Sequence, residues 1–256
     1  MDQKKLQSLF DLTDRAAIVT GGTRGIGRAI AEGLVSAGAK VTVASRKADA
    51  CAETEEHLKS LGGEALGMPT NMSDLAALKA LIDQTVDRFG RLDIVVNNAA
   101  TALPGFIGDI TPEMWEKSLG VNLRGPVFLV QEALPYLTAS PCAAILNVIS
   151  AGAFLFSQYT SMYAGAKAGL MAYTRSMAAE FAPRGIRANA LAPGTVDTDM
   201  VRNNPPEVQE RMAKASAMGR AADPDEMVGP ALFLVSDAAS FVTGQVLIAD
   251  GGLTPH

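Results

Sequence analysis

The stretch Thr20-Gly21-Gly22-Thr23-Arg24-Gly25-Ile26-Gly27 decides the fold. The run before it, Arg15 to Thr20, is short and apolar and ends in glycines, the pattern of a buried strand. After it, Ile26 to Ala37 has helical periodicity and stops at Gly38. A glycine-rich turn between a strand and a helix lets the backbone approach a diphosphate closely. The helix N-terminus then offers free N–H groups and a positive dipole end. A tight turn without a ligand would use the same residues, so the neighbouring sequence has to decide.

Outward from this turn, strands and helices alternate. Strands are expected at Lys40–Ser45, Glu64–Met68, Leu92–Asn97, Ala143–Ile149, Ile186–Leu191 and Gln245–Ala249. Helices are expected from Lys47 to Leu61, from a Ser73 cap to the Gly90 stop, from Thr111-Pro112 as one long helix, from Gln158 to Ala182, and from Asp223 onward. Near-continuously apolar strands alternating with helices imply a mostly parallel sheet covered on both faces. The expectation is a single α/β domain over residues 1–256, doubly wound around seven strands. Residues 1–13 read as a polar arm, and about 195–222 as an irregular, substrate-side lid rich in Asn, Pro and Met.

Composition narrows the function. The 22 Lys and Arg against 27 Asp and Glu give a net charge of −5, without the basic excess of a nucleic-acid binder. With 48% apolar residues the chain can bury a large core. It has no membrane-spanning run and no secretory leader, so a cytoplasmic location is expected. Cys51 and Cys142 form no CxxC pair and read as free thiols. His57 and His256 are the two histidines, so neither a Ser-His-Asp triad nor a His-rich metal centre is expected.

Gly21, Gly25 and Gly27 follow T-G-x-x-x-G-x-G rather than G-x-G-x-x-G. Asn97-Asn98-Ala99-Ala100 follows the fourth strand, Ser150 the fifth, and Tyr163-Ala-Gly-Ala-Lys167 reads Y-x-x-x-K. With Asn122 and Asn189-Ala-Leu-Ala-Pro193-Gly194, these motifs make the chain resemble the short-chain dehydrogenase/reductase family over nearly its whole length. Ala100 stands where that family's N-N-A-G motif has glycine. The resemblance implies a Rossmann fold and a nicotinamide dinucleotide held by Gly21, Thr23, Arg24, Gly25, Ile26, Gly27, Asn98, Pro193, Gly194, Val196 and Thr198. Asn71 and Met72 would flank the adenine, with Asn71 where an Asp is common.

The resemblance also implies a catalytic set of Asn122, Ser150, Tyr163 and Lys167. Tyr163 and Lys167 are four apart, on one helix face. An ammonium near a phenol favours the phenolate and lowers a pKa otherwise near 10. Tyr163 would exchange a proton with the substrate oxygen and Ser150 would hydrogen-bond that oxygen. Lys167 would also hold the nicotinamide ribose, and Asn122 would anchor a proton-relaying water. Alone, a Tyr-Lys pair at this spacing is usually a surface pair, and Asn122 alone more often caps or bridges backbone groups. No metal is called for, because the dinucleotide carries the hydride.

An acidic residue after the second strand would bind a ribose 2′-OH and repel a 2′-phosphate. Here Ser45-Arg46-Lys47 stands instead, and Arg46, with Arg24, suits a phosphate. NADP(H) is therefore expected over NAD(H). Pocket walls containing Leu103, Phe106, Phe154, Leu155, Phe156, Tyr159, Met200 and Val201 suggest a small, uncharged, partly hydrophobic carbonyl or alcohol substrate. Reduction of a 3-oxoacyl group on an acyl carrier protein is the alternative. It is weakened because Gln131 to Val148 offers an acidic carrier no Lys or Arg, leaving Arg175 and Arg184. A non-catalytic cofactor sensor is the third reading. The family's pairing of the Pro112 and Tyr163 helices implies a homotetramer.

Overall fold

The computed structural model describes residues 1–156 and 158–254. His256 and Ser157 lie outside the described residues. The strands are β1 (Ala16–Thr20), β2 (Lys40–Ser45), β3 (Ala65–Pro69), β4 (Ile94–Asn97), β5 (Ala144–Val148), β6 (Arg187–Pro193) and β7 (Val246–Ala249). They form one sheet in the order β3-β2-β1-β4-β5-β6-β7, and every pairing is parallel. The expected mostly parallel sheet is thus wholly parallel.

Strand alternation builds two cores. Ala17 and Val19 of β1, Ile94 and Val96 of β4, and Leu146 of β5 face one layer. That layer contains α2 (Gly25–Ser36), with Ile30 and Leu34, and α10 (Val228–Val235), with Ala231 and Leu234. Ile18, Val95 and Ile145, each one residue out of step, face the other layer. There they meet α4 (Leu75–Phe89) through Leu78, Leu81 and Ile82, and α6 (Gly125–Ala139) through Leu129, Ala133 and Leu137. Each Val, Leu or Ile among them contributes roughly 1.5–3 kcal/mol on burial. Both faces being covered explains why these strands read as continuous apolar runs.

The helix ends follow their local chemistry. Thr111 caps α5 (Pro112–Leu119), its hydroxyl accepting from Met114 N–H at 3.2 Å, with Pro112 in the first turn. Gly90 ends α4 at φ +76°, a left-handed conformation that glycine adopts without strain. The expected Ser73 cap is instead Asp74, whose carboxylate accepts from Ala76 and Ala77 N–H. Ser73 is engaged one step earlier, its N–H donating to Asn71 Oδ1 at 3.1 Å.

Other boundaries also differ from expectation. The polar arm contains a short exposed helix, α1 (Gln3–Ser8), capped by Asp2. The charged helix is α3 (Ala48–Ser60), and the helix bearing Tyr163 is α7 (Ser161–Phe181), which starts three residues later than expected. The irregular stretch holds two short helices, α8 (Asp199–Arg202) and α9 (Pro206–Lys214). The long helix expected from Pro112 is divided. Between α5 and α6, Gly120–Arg124 forms a π turn.

The strand order reverses between β1 and β4, which both start from the centre of the sheet. In open α/β sheets, ligands bind outside the carboxyl ends of the strands at such a switch point. The glycine turn leaves β1 there, and Asn98 leaves β4 beside it.

Candidate active site

The turn at the end of β1 is held open by close packing. A Cβ on Gly27 would stand 2.2 Å from the Gly21 carbonyl oxygen and 2.3 Å from Asn98 Nδ2. One on Gly21, at φ +64°, would stand 2.9 Å from Ala99 Cα. Only glycine admits these approaches. Thr20 Oγ1 accepts from the N–H groups of Asn98 and Ala99 at 3.0 and 3.1 Å. Asn98 Nδ2 donates back to the carbonyls of Thr20 and Gly21 at 3.0 and 3.1 Å. The expected cofactor contact Asn98 therefore uses its side-chain amide to bind the turn to β4.

The first turn of α2 has no side-chain cap: Arg24, at the N-cap, makes no capping bond. An uncapped helix start beside three close-packed glycines fits a diphosphate, whose oxygens can take the place of a capping side chain. Thr23 and Ile26 are half-buried in this turn. Arg24 is exposed and its guanidinium is met by an acidic side chain. Its Nη1 donates to Asp199 Oδ2 at 2.9 Å.

At the end of β2, Ser45 is half-buried and Arg46 exposed. The Ser45 carbonyl accepts from Thr70 N–H at 2.7 Å, tying β2 to the loop that carries Asn71 and Met72. Asn71 turns its Oδ1 onto Ser73 N–H, while Met72 is buried in the core that faces α4.

Ser150 follows β5 directly and caps a 3-10 turn, its Oγ accepting from Gly152 N–H at 3.1 Å. The Tyr163 phenol of α7 faces the same Ser150, whose hydroxyl favours its ionised form. One turn along, Lys167 is 1% exposed and donates from Nζ to the Val148 carbonyl at 2.7 Å. Its Nζ lies 5.7 Å from the Tyr163 ring centroid. Ser150, Tyr163 and Lys167 therefore converge at the carboxyl end of β5.

Their titration differs from the expectation. Burial pushes the Tyr163 phenol above its usual 10, against a smaller opposing effect of the Ser150 bond. Burial alone brings Lys167 down to about 8. Both charged forms lose hydration, and the ammonium is directed at the Val148 carbonyl rather than the phenol oxygen. Helical spacing predicted the neighbours correctly but not the dominance of desolvation.

Asn122 lies in the π turn rather than a continuous helix, and is fully buried. Its Oδ1 accepts from Thr101 N–H at 3.0 Å and its Nδ2 donates to the Thr101 carbonyl at 2.8 Å. The side chain thus clamps the loop after β4. Its backbone carbonyl lacks the usual helical donor, because residue 126, four positions on, is proline.

On the far side, Pro193 ends β6, and Gly194 packs so closely on Asp250 that a Cβ would stand 2.7 Å from its Cα. Val196 is buried and bridges to Ala222. Thr198 precedes α8, its Oγ1 donating to the Val196 carbonyl at 3.3 Å, and approaches the glycine turn, with its Cγ2 2.9 Å from a Cβ built on Gly25. Asp250 accepts from Gly252 and Thr254 N–H groups, a structural turn.

The proposed pocket wall is apolar and largely exposed. Phe106 and Tyr159 form an edge-to-face pair with ring centroids 5.0 Å apart. Their loops are joined where Gly105 N–H donates to the Tyr159 carbonyl at 2.8 Å. Phe154, Phe156 and Met200 are exposed, while Leu103, Leu155 and Val201 are half-buried. Sequence reading missed Thr20, Thr101 and Asp199, each defined by a partner far along the chain. His57 pairs with Glu32 at 2.8 Å, and both cysteines are free thiols. Among the described residues no helix is long and apolar enough to cross a membrane, and no cluster of three His, Cys, Asp or Glu could hold a metal.

Comparison with known proteins agrees with this arrangement. The family model described as Enoyl-(Acyl carrier protein) reductase matches residues 21–254. The cis-4-hydroxycyclohexanecarboxylate dehydrogenase of Sinomonas cyclohexanicum is 37% identical, over 94% of this chain and 97% of its own. The L-rhamnose 1-dehydrogenase (NAD(P)(+)) of Azotobacter vinelandii is 35% identical over 94% and 97%. A crystal structure of a 3-oxoacyl (acyl-carrier-protein) reductase from Agrobacterium tumefaciens C58 with NADP bound superposes with a TM-score of 0.90. It is 36% identical and covers 96% of this chain and 97% of its own. Sequence motifs, an all-parallel sheet with its glycine turn at the switch point, and these relatives agree: the chain belongs to the short-chain dehydrogenase/reductase family, oxidoreductases of CH–OH and carbonyl groups.

Proposed function

We propose that this protein is an NADP(H)-dependent oxidoreductase that interconverts a small, uncharged, partly hydrophobic carbonyl compound with its alcohol. The observation that carries the reading is the convergence of Ser150 and Tyr163 beside fully buried Lys167, at the strand ends next to the glycine turn. When bound, the dinucleotide supplies or accepts the hydride. Gly21, Gly25 and Gly27, with the uncapped start of α2, would hold its diphosphate. Arg46 would meet the 2′-phosphate, and Pro193, Gly194, Val196 and Thr198 would flank the nicotinamide.

Ser150 orients the substrate oxygen and Tyr163 exchanges a proton with it. A phenol held above its usual pKa is protonated at neutral pH and can donate to a carbonyl oxygen. Lys167, buried and near 8, holds the ribose and passes a proton back to the phenol. Asn122 fixes the loop after β4 and presents its carbonyl to a relay water. Residues 195–222 act as a lid over the substrate. The family's helix pairing supports a homotetramer, consistent with Trp115 on α5 and Tyr173 on α7 being exposed; light scattering at tetramer mass is the expected result, and a monomer would refute it.

A 3-oxoacyl-[acyl-carrier-protein] reductase is the second reading, favoured by relatives of that description. The apolar, uncharged mouth favours a free carbonyl instead. The test follows NADPH and NADH consumption against free ketones, ketoses and a 3-oxoacyl thioester. Loss of NADPH with a free carbonyl is expected, and a preference for the thioester would promote the second reading. Tyr163→Phe is expected to lower turnover about 100- to 10,000-fold while NADPH still binds. Unchanged turnover would remove Tyr163 from the mechanism.

A further inference from the structure

Arg24 occupies the position in the glycine turn from which a cation can serve a bound phosphate, yet its charge is already answered. Its guanidinium, with 73% of the side chain exposed, donates to Asp199 at 2.9 Å, across 175 positions of sequence. A second contact lies one residue along, where Thr198 closes on Gly25. Two adjacent residues of the turn therefore touch two adjacent residues at the start of α8. The neighbouring acidic residue is satisfied within its own segment. Arg202 grips Asp197 through two bonds of 2.8 and 2.9 Å. Arg202 also lies within electrostatic reach of Asp199, but its donors face Asp197.

We propose that Asp199 is a specificity-determining residue for the cofactor, acting through Arg24. A 2′-phosphate and the Asp199 carboxylate compete for one guanidinium. Binding NADP(H) exchanges the carboxylate for the more highly charged phosphate and frees the start of α8 from the turn. Binding NAD(H), which has no 2′-phosphate, leaves the pair intact. Asp199 thus lowers the preference for NADP(H) that Arg46 and Arg24 would otherwise give. Cofactor identity also becomes linked to the segment over the substrate side. This rests on the NADP(H) reading above.

The test is direct binding, read as quenching of intrinsic fluorescence, with NADPH and NADH titrated into the wild type, Asp199→Asn, Arg24→Ala and the double variant. The pair is exposed, so its removal is expected to tighten NADPH about two- to five-fold. NADH affinity should stay unchanged. In the Arg24→Ala background, Asp199→Asn should no longer affect NADPH, whereas with Arg24 present Asp199→Glu should keep wild-type binding. Equal effects on both dinucleotides, or an effect that persists without Arg24, would overturn the proposal. A wild type that prefers NADPH while Asp199→Asn matches it would also overturn the proposal, yet leave the cofactor reading standing. A wild type that binds NADH as tightly as NADPH, with Arg46→Ala changing neither, would sink the cofactor reading itself.

Discussion

Lys167 is the residue whose role in the site and cost to the fold are most closely joined. Its folded pKa is about 8 against an ordinary 10.5, because burial removes the ammonium from water. Between those values the unfolded chain binds the proton more strongly, so folding stability rises with pH. The gain is complete above 10.5 and is lost as pH falls through 8. A difference of this size corresponds to about 3 kcal/mol. Urea unfolding of wild type and Lys167→Met should therefore show the wild type gaining about 3 kcal/mol relative to the variant between pH 7 and pH 10.5. A constant difference across that range would mean Lys167 is hydrated. The four-residue spacing made Tyr163 and Lys167 visible as neighbours. Their titration was not visible, because local spacing carries no information about how completely distant residues exclude water.

The glycine turn was the most legible element, since its strand-turn-helix context and spacing are local. What the spacing did not reveal is how tightly the turn is fastened to β4 by Thr20 and Asn98. That fastening makes Gly27→Ala a sharp probe. The new methyl would press on the Gly21 carbonyl, and overpacking of this kind costs about 1–3 kcal/mol. Thermal unfolding should fall accordingly, and NADPH affinity should fall with it as the turn is displaced. A variant that lost stability but kept its affinity would show that the turn does not hold the dinucleotide. The division of the Pro112–Ala139 run was less legible. Its signal was Gly125-Pro126 inside an otherwise helical pattern, the combination that breaks regular helix geometry.

At the scale of the whole molecule, the end of the sheet away from the site is tied together by Asp93, which has no exposed surface. It accepts from Arg91 at 2.7 Å through both oxygens, from Ala16 N–H at 2.8 Å and from the Ser140 hydroxyl at 2.5 Å. Burial pushes its carboxyl up, but these donors outweigh burial and hold it below the usual 3.8. Its contribution is present above 3.8 and is lost as pH falls through the lower folded value. Asp93→Asn should cost about 1–3 kcal/mol near neutral pH, with a smaller cost at acid pH; a pH-independent effect would exclude the ionic contribution. The alternation of apolar runs made the parallel sheet readable throughout. Asp93 was not, since its partners come from β1, the turn just before β4 and the loop before β5. The π turn at Gly120–Arg124 reaches across the same scale. A π turn closes its bonds over five residues rather than four, so it takes in one residue more than an α turn while Leu129, Ala133 and Leu137 still face the sheet. A change of length by one residue is therefore absorbed at this turn, whereas the same change inside α6 would rotate every following residue by about 100° and carry the apolar face off the core.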